Sequence, residues 1–217
     1  MVKLKMEVFI MITKKPMIKE TVGALFLAFN TPDNSGNFDP KTYEETIKSN
    51  NVKTITTSDT GESTVVRASG EDYITVNSLS RIENDIEVTA FDPGDLARAK
   101  GDTVDNSGLV FSGAPKVRPY FAFGKVVKKV GGGVEYVWYP KCQLIENSEE
   151  AKTSEENFSE QNDTLKIAAY SFDDAGNKAV RVNSEMANFP EGLTEAQFFS
   201  KPITKVADLQ DVLDASI

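Results

Sequence analysis

Three consecutive glycines at positions 131–133 separate two runs of strand-forming residues, and this arrangement constrains the fold more than any other feature of the sequence. The runs cover residues 120–130 and 134–144. Glycine readily adopts the positive φ angles that tight hairpin turns require. The sequence therefore predicts an antiparallel β-hairpin here.

Side chains along the second arm of this hairpin are predicted to alternate between two faces of a sheet. One face would carry Val134, Tyr136, Trp138, Pro140, Cys142 and Leu144. Because proline donates no backbone hydrogen bond, Pro140 predicts a bulge or a sheet edge. Cys142 is expected to be a buried and unreactive thiol, since its neighbours on that face are aromatic and aliphatic.

A second strand is indicated by strict alternation at residues 82–90. Ile82, Ile86, Val88 and Ala90 fall on one face, and Glu83, Asp85, Glu87 and Thr89 fall on the other. This period of two predicts a half-buried strand with an acidic outer face.

Further strands are predicted at 22–29, 52–68, 73–76, 165–170 and 179–183, with turns between them. Asp92 and Pro93 predict the start of a helix that Gly101 ends. A helix-like patch covers residues 39–48, and short helices are predicted at 193–199 and in the C-terminal tail. The chain is therefore expected to be mainly β with few helices.

The domain organisation follows from where these patterns begin and end. Residues 1–16 are predicted to be an N-terminal extension, 17–200 a β domain, and 201–217 a C-terminal tail. Two long polar excursions interrupt the domain, at 31–51 and at 146–163, and the second is strongly acidic. Long polar excursions are costly to order unless they dock on something, which suggests assembly into a larger object.

Composition excludes several classes of protein. The chain has no histidine, one cysteine and a formal net charge of −9. The histidine-dependent nucleophiles and zinc sites are therefore ruled out, and so is an intrachain disulfide. A chain of this charge repels nucleic acid on average, so DNA is not expected to be tightly bound. No apolar run is long enough to span a membrane.

No motif predicts catalysis, a metal site or a cofactor. The oxygen-rich run at 33–39 lacks the spacing of an EF-hand, and the glycines at 131–133 lack the spacing of a phosphate loop. The carboxylates lie mainly on an exposed strand face or in a solvated arm. The prediction is a protein that is not an enzyme and that holds no cofactor or metal.

The segment from Pro119 to Phe172 resembles the major tail proteins (tail tube proteins) of long non-contractile-tailed bacteriophages of Gram-positive bacteria. The resemblance is carried by PYFAFGKVV at 119–127, VEYVWYPKCQL at 134–144, the acidic arm and strand at 149–170, and LTEAQFF at 193–199. A weaker likeness extends upstream through residues 69–91.

This resemblance implies a mainly β fold, a tail-tube-type β-sandwich or split barrel with one flanking α-helix and long loops, assembling into a hexameric ring. It implies a structural virion protein whose rings stack into the conduit for genome ejection. The implied partners are the chain itself, the tape measure, tail terminator and distal tail proteins, and double-stranded DNA only in transit, with no membrane. The implied location is the virion tail, assembled in the bacterial host cytoplasm.

Candidate residues follow from this implied assembly. Glu83, Asp85 and Glu87 are candidates to face the lumen, where carboxylates would let DNA slide past. The alternative is that this face is only exposed to solvent or packs under an arm. The candidate inter-subunit arm comprises Glu149, Glu150, Lys152, Glu155, Glu156 and Phe158, and residues 31–51 are a further candidate by position.

Two other classes remain open from the sequence. One is a stand-alone carbohydrate-binding or adhesive β-sandwich of a phage baseplate or cell surface, whose stacking platform would be the aromatic residues of the hairpin. The other is an enzyme with two carboxylates converging in a pocket, at least one of them with a raised pKa.

Overall fold

The computed structural model describes residues 15–114, 117–153 and 160–215, so residues 1–14 of the predicted N-terminal extension lie outside the described part. The strands there are β1 (Lys19–Phe29), β2 (Ile47–Ser49), β3 (Val52–Ala68), β4 (Glu71–Val88), β5 (Thr103–Val104), β6 (Val110–Phe111), β7 (Phe121–Lys129), β8 (Val134–Glu149), β9 (Asp163–Ala169) and β10 (Val180–Asn183). The helices are α1 (Pro93–Lys100), α2 (Glu195–Phe198) and α3 (Val206–Asp214).

The main sheet is antiparallel throughout and has the strand order β2-β1-β7-β8-β9-β4-β3, with β10 paired to β8. Strands β5 and β6 form a separate small hairpin. The sheet curls so that β1 approaches β3 from the other end of the order. The predicted mainly β, sandwich-like fold is confirmed.

The concave side of this curled sheet encloses the larger of two apolar cores. Every long strand contributes to it, through side chains that include Leu27, Ile86, Phe123, Tyr139 and Ile167. Helix α1 covers one end of this core with Leu96 and Ala99. The sheet therefore behaves as a split barrel that its own helix closes at one end.

A second core lies on the convex side of β1, β7 and β8, and the C-terminal segment covers it. Phe199 stacks on Phe26 with ring centroids 3.9 Å apart. The indole nitrogen of Trp138 donates a hydrogen bond to the carbonyl oxygen of Phe198 at 3.0 Å. Ile203 and Val212 are buried in the same layer, so the residues that the sequence set apart as a tail pack onto the domain.

The predicted helix α1 is confirmed together with both of its ends. The Asp92 carboxylate accepts hydrogen bonds from the backbone amides of Gly94 and Asp95, and Pro93 occupies the first turn. Gly101 ends the helix in the left-handed conformation with φ of 75°. Local sequence thus fixes this element, because its caps need no distant partner.

The helix predicted at 39–48 is wrong, because residues 47–49 form strand β2 and the rest of the segment is irregular. The amide nitrogen of the Asn30 side chain donates to the carbonyl oxygens of Asp39 and Thr42. The Tyr43 hydroxyl donates to the carbonyl oxygen of Pro140 at 3.0 Å. These tertiary bonds hold the excursion at 31–51 against its own domain.

The single-face prediction for the second hairpin arm is also wrong. Tyr136 and Trp138 face the convex core, whereas Cys142 and Leu144 face the concave core. The pairing register shifts here, since Phe121 is opposite Cys142 and Phe123 is opposite Tyr139. The extra residue on β8 forms a bulge at Pro140 and Lys141, as the proline predicted, and the bulge exchanges the two faces.

Replacing Gly124 by alanine is expected to destabilise the convex core. A Cβ at this position would lie 2.7 Å from Cε1 of Phe199 and 3.1 Å from Cβ of Phe26, so the stacked ring pair must move. We expect Gly124→Ala to lower the free energy of unfolding by about 1–3 kcal/mol in urea titrations. The matched variant Gly94→Ala, at the exposed start of α1, would meet only the Asp92 side-chain oxygen, at 3.1 Å, and should cost less stability. Equal stability of both variants would contradict the packing described for Phe199.

Candidate assembly surfaces

The acidic strand face lies on the convex side of four adjoining strands, β3, β4, β9 and β8. Its side chains form cross-strand rows, and we refer to this surface as the polar face. One row is Thr54, Glu87, Thr164 and Ser148, and the next is Thr56, Asp85, Lys166 and Glu146. These residues line a shallow depression of about 350 Å³. The predicted alternation is confirmed as far as Val88, because Ile82, Ile86 and Val88 point into the core. Ala90, predicted on the same face, is exposed and lies beyond the end of β4.

The predicted acidic residues differ in how strongly they are held. The Glu83 carboxylate lies 3.0 Å from the Lys166 ammonium and 2.5 Å from the Arg81 guanidinium, and its side chain is only 13% exposed. The hydrogen bond from Lys166, followed by that from Arg81, lowers the pKa of Glu83. The Asp85 side chain is 52% exposed and lies 3.9 Å from Lys166.

Glu87 is tied to both neighbouring strands. Its carboxylate accepts hydrogen bonds from the Thr54 hydroxyl at 3.2 Å and from the Asn162 side-chain amide at 2.7 Å. With Glu146, the four carboxylates of this surface outnumber its two cations, so the polar face carries net negative charge. That these residues face a lumen stays a prediction.

The two lateral edges of this four-stranded unit lack a strand partner within the described residues. Strand β3 pairs only with β4, and β8 beyond Cys142 pairs only with β9. Arg118 donates from its guanidinium to the carbonyl oxygens of Leu144 and Ile145, which caps the start of the free β8 edge. The residues that follow, 146–149, keep an open edge.

Strands β3 and β4 continue beyond the sheet as a two-stranded projection, which we call the ribbon and define as residues 61–79. Within the part of the chain that the structure describes, its strands pair only with each other, and the turn is formed by Ser69 and Gly70, both with positive φ. The strand predicted at 52–68 is confirmed as β3, whereas the separate short strand predicted at 73–76 is part of β4, which continues to Val88. The available signal for one long hairpin was the Ser-Gly pair between two stretches of 17 and 18 residues that contain no proline.

Apolar side chains are exposed on both faces of the ribbon. They are Val65, Val66, Tyr73, Ile74, Val76 and Leu79. Val66 lies directly opposite Ile74, and Tyr73 is 77% exposed. Exposed apolar groups clustered in this way are typical of interaction surfaces. The amino-acid pattern does not reveal this cluster, because the exposure of a side chain depends on whether another element packs against it.

A second exposed apolar cluster lies on the small hairpin that follows α1, and we call it the β5–β6 patch. It consists of Val104, Leu109, Val110 and Phe111. Val104 and Val110 are cross-strand partners, and Phe111 is 60% exposed. Sequence reasoning assigned no role to this segment.

The predicted acidic arm is shorter in the structure than in the sequence prediction, because residues 146–149 belong to β8 and Asp163 begins β9. Glu149 is thus a strand residue, while Glu150 and Lys152 form an exposed ion pair at 2.7 Å. Glu155, Glu156 and Phe158 lie outside the described residues. Glu160 forms an ion pair with Lys53 of β3 at 2.5 Å. Contact of this arm with another subunit stays a prediction.

Five of the six aromatic residues that could have formed a sugar-stacking platform lie in the two cores, where they are buried: Phe121, Phe123, Tyr136, Trp138 and Tyr139. The sixth, Tyr120, is half-buried and packs edge-on against Phe38. Cys142 is buried as predicted, and desolvation raises the pKa of its thiol. The described residues therefore offer no exposed aromatic platform from this hairpin and no reactive thiol.

The open end of the split barrel contains a buried cation. The Lys125 ammonium donates to the Thr57 hydroxyl and lies 5.6 Å from the centroid of the Tyr139 ring. Burial, partly offset by Glu135, lowers the pKa of Lys125 to about 8. Thr57 in turn donates to the side-chain oxygen of Asn84, whose amide nitrogen is buried and has no hydrogen-bond partner. This polar group sits where the concave core meets solvent.

Within the described residues no cluster of three or more potential ligands could hold a metal ion. In the same part of the chain, none of the helices has the length and apolar character needed to cross a membrane.

Comparisons with known proteins identify no family for this chain. No family model matches the sequence, and no curated protein matches it. Among solved structures, the chain is similar to one in the cryo-EM structure of the anti-feeding prophage (AFP) baseplate, 6-fold symmetrised. The similarity covers 78% of this chain and 97% of that chain, at 7% identity and a TM-score of 0.41. A likeness of this degree carries no information about function.

Replacing Lys125 by methionine should change how stability depends on pH. A lysine titrates near pH 10.4 when unfolded, so the unfolded chain binds more protons than the folded one between pH 8 and about 10.5, and stability rises with pH there. We expect Lys125→Met to be more stable relative to wild type below pH 8, by at most about 3 kcal/mol before solvent screening. That difference should shrink as the pH rises to 10.5. A difference in unfolding free energy that stays constant over this range would contradict the burial of the ammonium.

Proposed function

We propose that this chain is the subunit of a bacteriophage tail tube, which polymerises as stacked hexameric rings and forms the conduit for genome ejection. The observation that carries the proposal is the four-stranded unit β3-β4-β9-β8. It has one polar face, one face buried in the core and, among the described residues, no strand partner at either lateral edge.

The directions of the edge strands favour lateral assembly. Each neighbouring pair in the unit is antiparallel, so β3 and β8 run in opposite directions. Rotating a copy about a common axis preserves strand direction. The free β8 edge of one subunit would then meet the free β3 edge of the next as an antiparallel neighbour, and the sheet would continue around a ring.

The size of such a ring suits a conduit. Six copies of a four-stranded unit give a barrel of about 24 strands, more than the 16–18 strands at which barrels already enclose an aqueous channel. Ring closure would also cover the long free edge of β3, which is otherwise a template for uncontrolled pairing.

The chemistry of the polar face suits a lumen through which DNA passes. The opposite face of the same strands is sealed in the subunit's own core, so only the polar face is available to line a water-filled channel. Its excess of carboxylates, with Glu83, Asp85 and Glu87 on β4, would avoid the tight phosphate binding that a basic wall creates.

The proposal includes the surroundings of the tube. The partners would be further copies of this chain, the tape measure, tail terminator and distal tail proteins, and double-stranded DNA in transit. The location would be the virion tail, assembled in the host cytoplasm. The loop after β8, with Glu150 and Lys152, adjoins the free β8 edge and would lie near a neighbouring subunit.

Electron microscopy of the purified protein over a concentration series is the direct test of this function. We expect six-fold rings or tubes, with light-scattering masses that rise in steps of six subunits. A protein that stays monomeric at every concentration, with its β3 edge accessible to hydrogen exchange throughout, would remove the basis of the proposal.

Engineered cysteines can report the lateral junction separately. In one subunit β3 and β8 are separated by three strand spacings, about 14 Å, which is too far for a disulfide. A chain carrying both Thr56→Cys and Ser148→Cys should therefore cross-link only between subunits and give an oxidised ladder that ends at six copies. Neighbouring positions Thr54 and Ser58 serve as alternative partners for Ser148 if the register differs. Each single variant is the control and should yield at most dimers. Dimers alone from all the double variants would contradict ring closure through these edges.

A further inference from the structure

The two exposed apolar clusters, the ribbon and the β5–β6 patch, lie at opposite ends of the molecule. Strand β4 runs from the ribbon turn at Gly70 to Val88, where the chain leaves the sheet and enters α1. Helix α1 contacts β5, and a Cβ built at Gly101 would lie 3.4 Å from the Pro119 ring. This packing keeps the small hairpin at the Val88 end of the body.

The separation is too large for one cluster to reach the other within a single chain. The 18 residues of β4 span about 60 Å at the usual rise of a strand, and about 30 Å of this length belongs to the ribbon. Both clusters are therefore available to other molecules, one at each end of the same axis.

The ribbon gains most from a partner. A hairpin of two strands is at best marginally stable in water, and this one exposes apolar side chains on both faces. Val65 and Val66 point to opposite faces of the ribbon, so one contact can cover the apolar side chains of only one face. One ribbon face and the patch then offer on the order of 500 Å² of apolar side-chain surface, a weak contact that the six copies of a ring would repeat.

Three charged side chains near the two clusters have partners on their own hairpin. Arg67 and Asp72 pair with each other at 2.7 Å near the ribbon turn. The Asp105 carboxylate accepts hydrogen bonds from the backbone amide and the hydroxyl of Ser107. The two surfaces match in chemistry and in extent, and both are present once on every copy.

We propose that the ribbon of one copy docks on the β5–β6 patch of a second copy. The contact is heterologous, because different surfaces of the same chain meet, and it leaves one free ribbon and one free patch on every pair. Repeated along the axis of β4, it builds an open stack. This contact rests on the proposed function, because the stack would be that of the tail tube. It assigns residues to the contact between successive rings.

Complementary variants test this contact in the full-length chain. The donor variant carries Val66→Ser and Ile74→Ser in the ribbon, and the receiver variant carries Leu109→Ser and Phe111→Ser in the patch. Each variant alone should lose axial association by at least about tenfold. In an equimolar mixture, the intact ribbon of the receiver variant can dock on the intact patch of the donor variant. The mixture should therefore form pairs and no larger species. The wild type should extend further.

Mass photometry and analytical ultracentrifugation provide the readout. Where lateral rings form, the rings of each variant are assembled separately before mixing, and the mixture should then stop at two stacked rings. The matched control carries Met186→Ser and Val130→Ser, which remove exposed apolar side chains outside both clusters, and it should associate as the wild type does. Circular dichroism melts check that each variant is folded.

Disulfide cross-linking tests the same contact if one of the serine variants does not fold. Ile74→Cys mixed with Phe111→Cys, or with Leu109→Cys, should give a cross-linked pair on oxidation, while Ile74→Cys mixed with Met186→Cys should not. The proposal is overturned if donor and receiver variants associate as the wild type does, if their mixture forms no pairs, or if the wild type never associates along this axis. Pairs that form through the ribbon, without the cross-linked ladder of six copies through β3 and β8, would contradict the tail-tube function and still support the ribbon contact.

Discussion

The bulge at Pro140 and Lys141 in β8 is the feature on which the rest of the structure depends. Before it, β8 lies between β7 and β10 and turns Tyr136 and Trp138 to the convex core. After it, the strand pairs with β9 and turns Cys142 and Leu144 to the concave core. A single strand can serve both packing layers because one extra residue exchanges its faces. Without that exchange, one half of β8 would point its large side chains to solvent.

The same exchange separates a packed part of the sheet from an assembly-competent part. Strands β1 and β7 are covered on both sides, by the split-barrel interior and by the C-terminal helices. The unit β3-β4-β9-β8 is covered on one side only, and its polar face and lateral edges are left open. Its residues are satisfied by ion pairs and cross-strand hydrogen bonds rather than by a second apolar layer, as the pairs of Glu83 and Glu87 illustrate. A surface of this kind is stable in water and remains available for a ring.

The two kinds of open surface differ in physical character and therefore in their proposed roles. The strand edges present unpaired backbone groups, which favour continuation of a sheet. The ribbon and the β5–β6 patch present apolar side chains at opposite ends, which favour stacking through area burial. Lateral and axial growth would thus rely on separate residues. That separation makes the two directions of assembly experimentally independent.

The sequence by itself determined the elements whose signals are local. The hairpin with the glycine turn follows from turn chemistry, the helix α1 from its capping groups, and the acidic outer face of β4 from a period of two. All three are found in the structure. The tertiary structure alone decided which surfaces are free. The exposure of Tyr73 and Phe111 depends on which strands lack a neighbour, and the burial of Ile203 depends on a sheet that is distant in sequence. Residues 39–48 do not form a helix, because hydrogen bonds from the Asn30 and Tyr43 side chains hold this segment in another conformation. Periodicity reports which side of an element is apolar, but only packing decides what covers it.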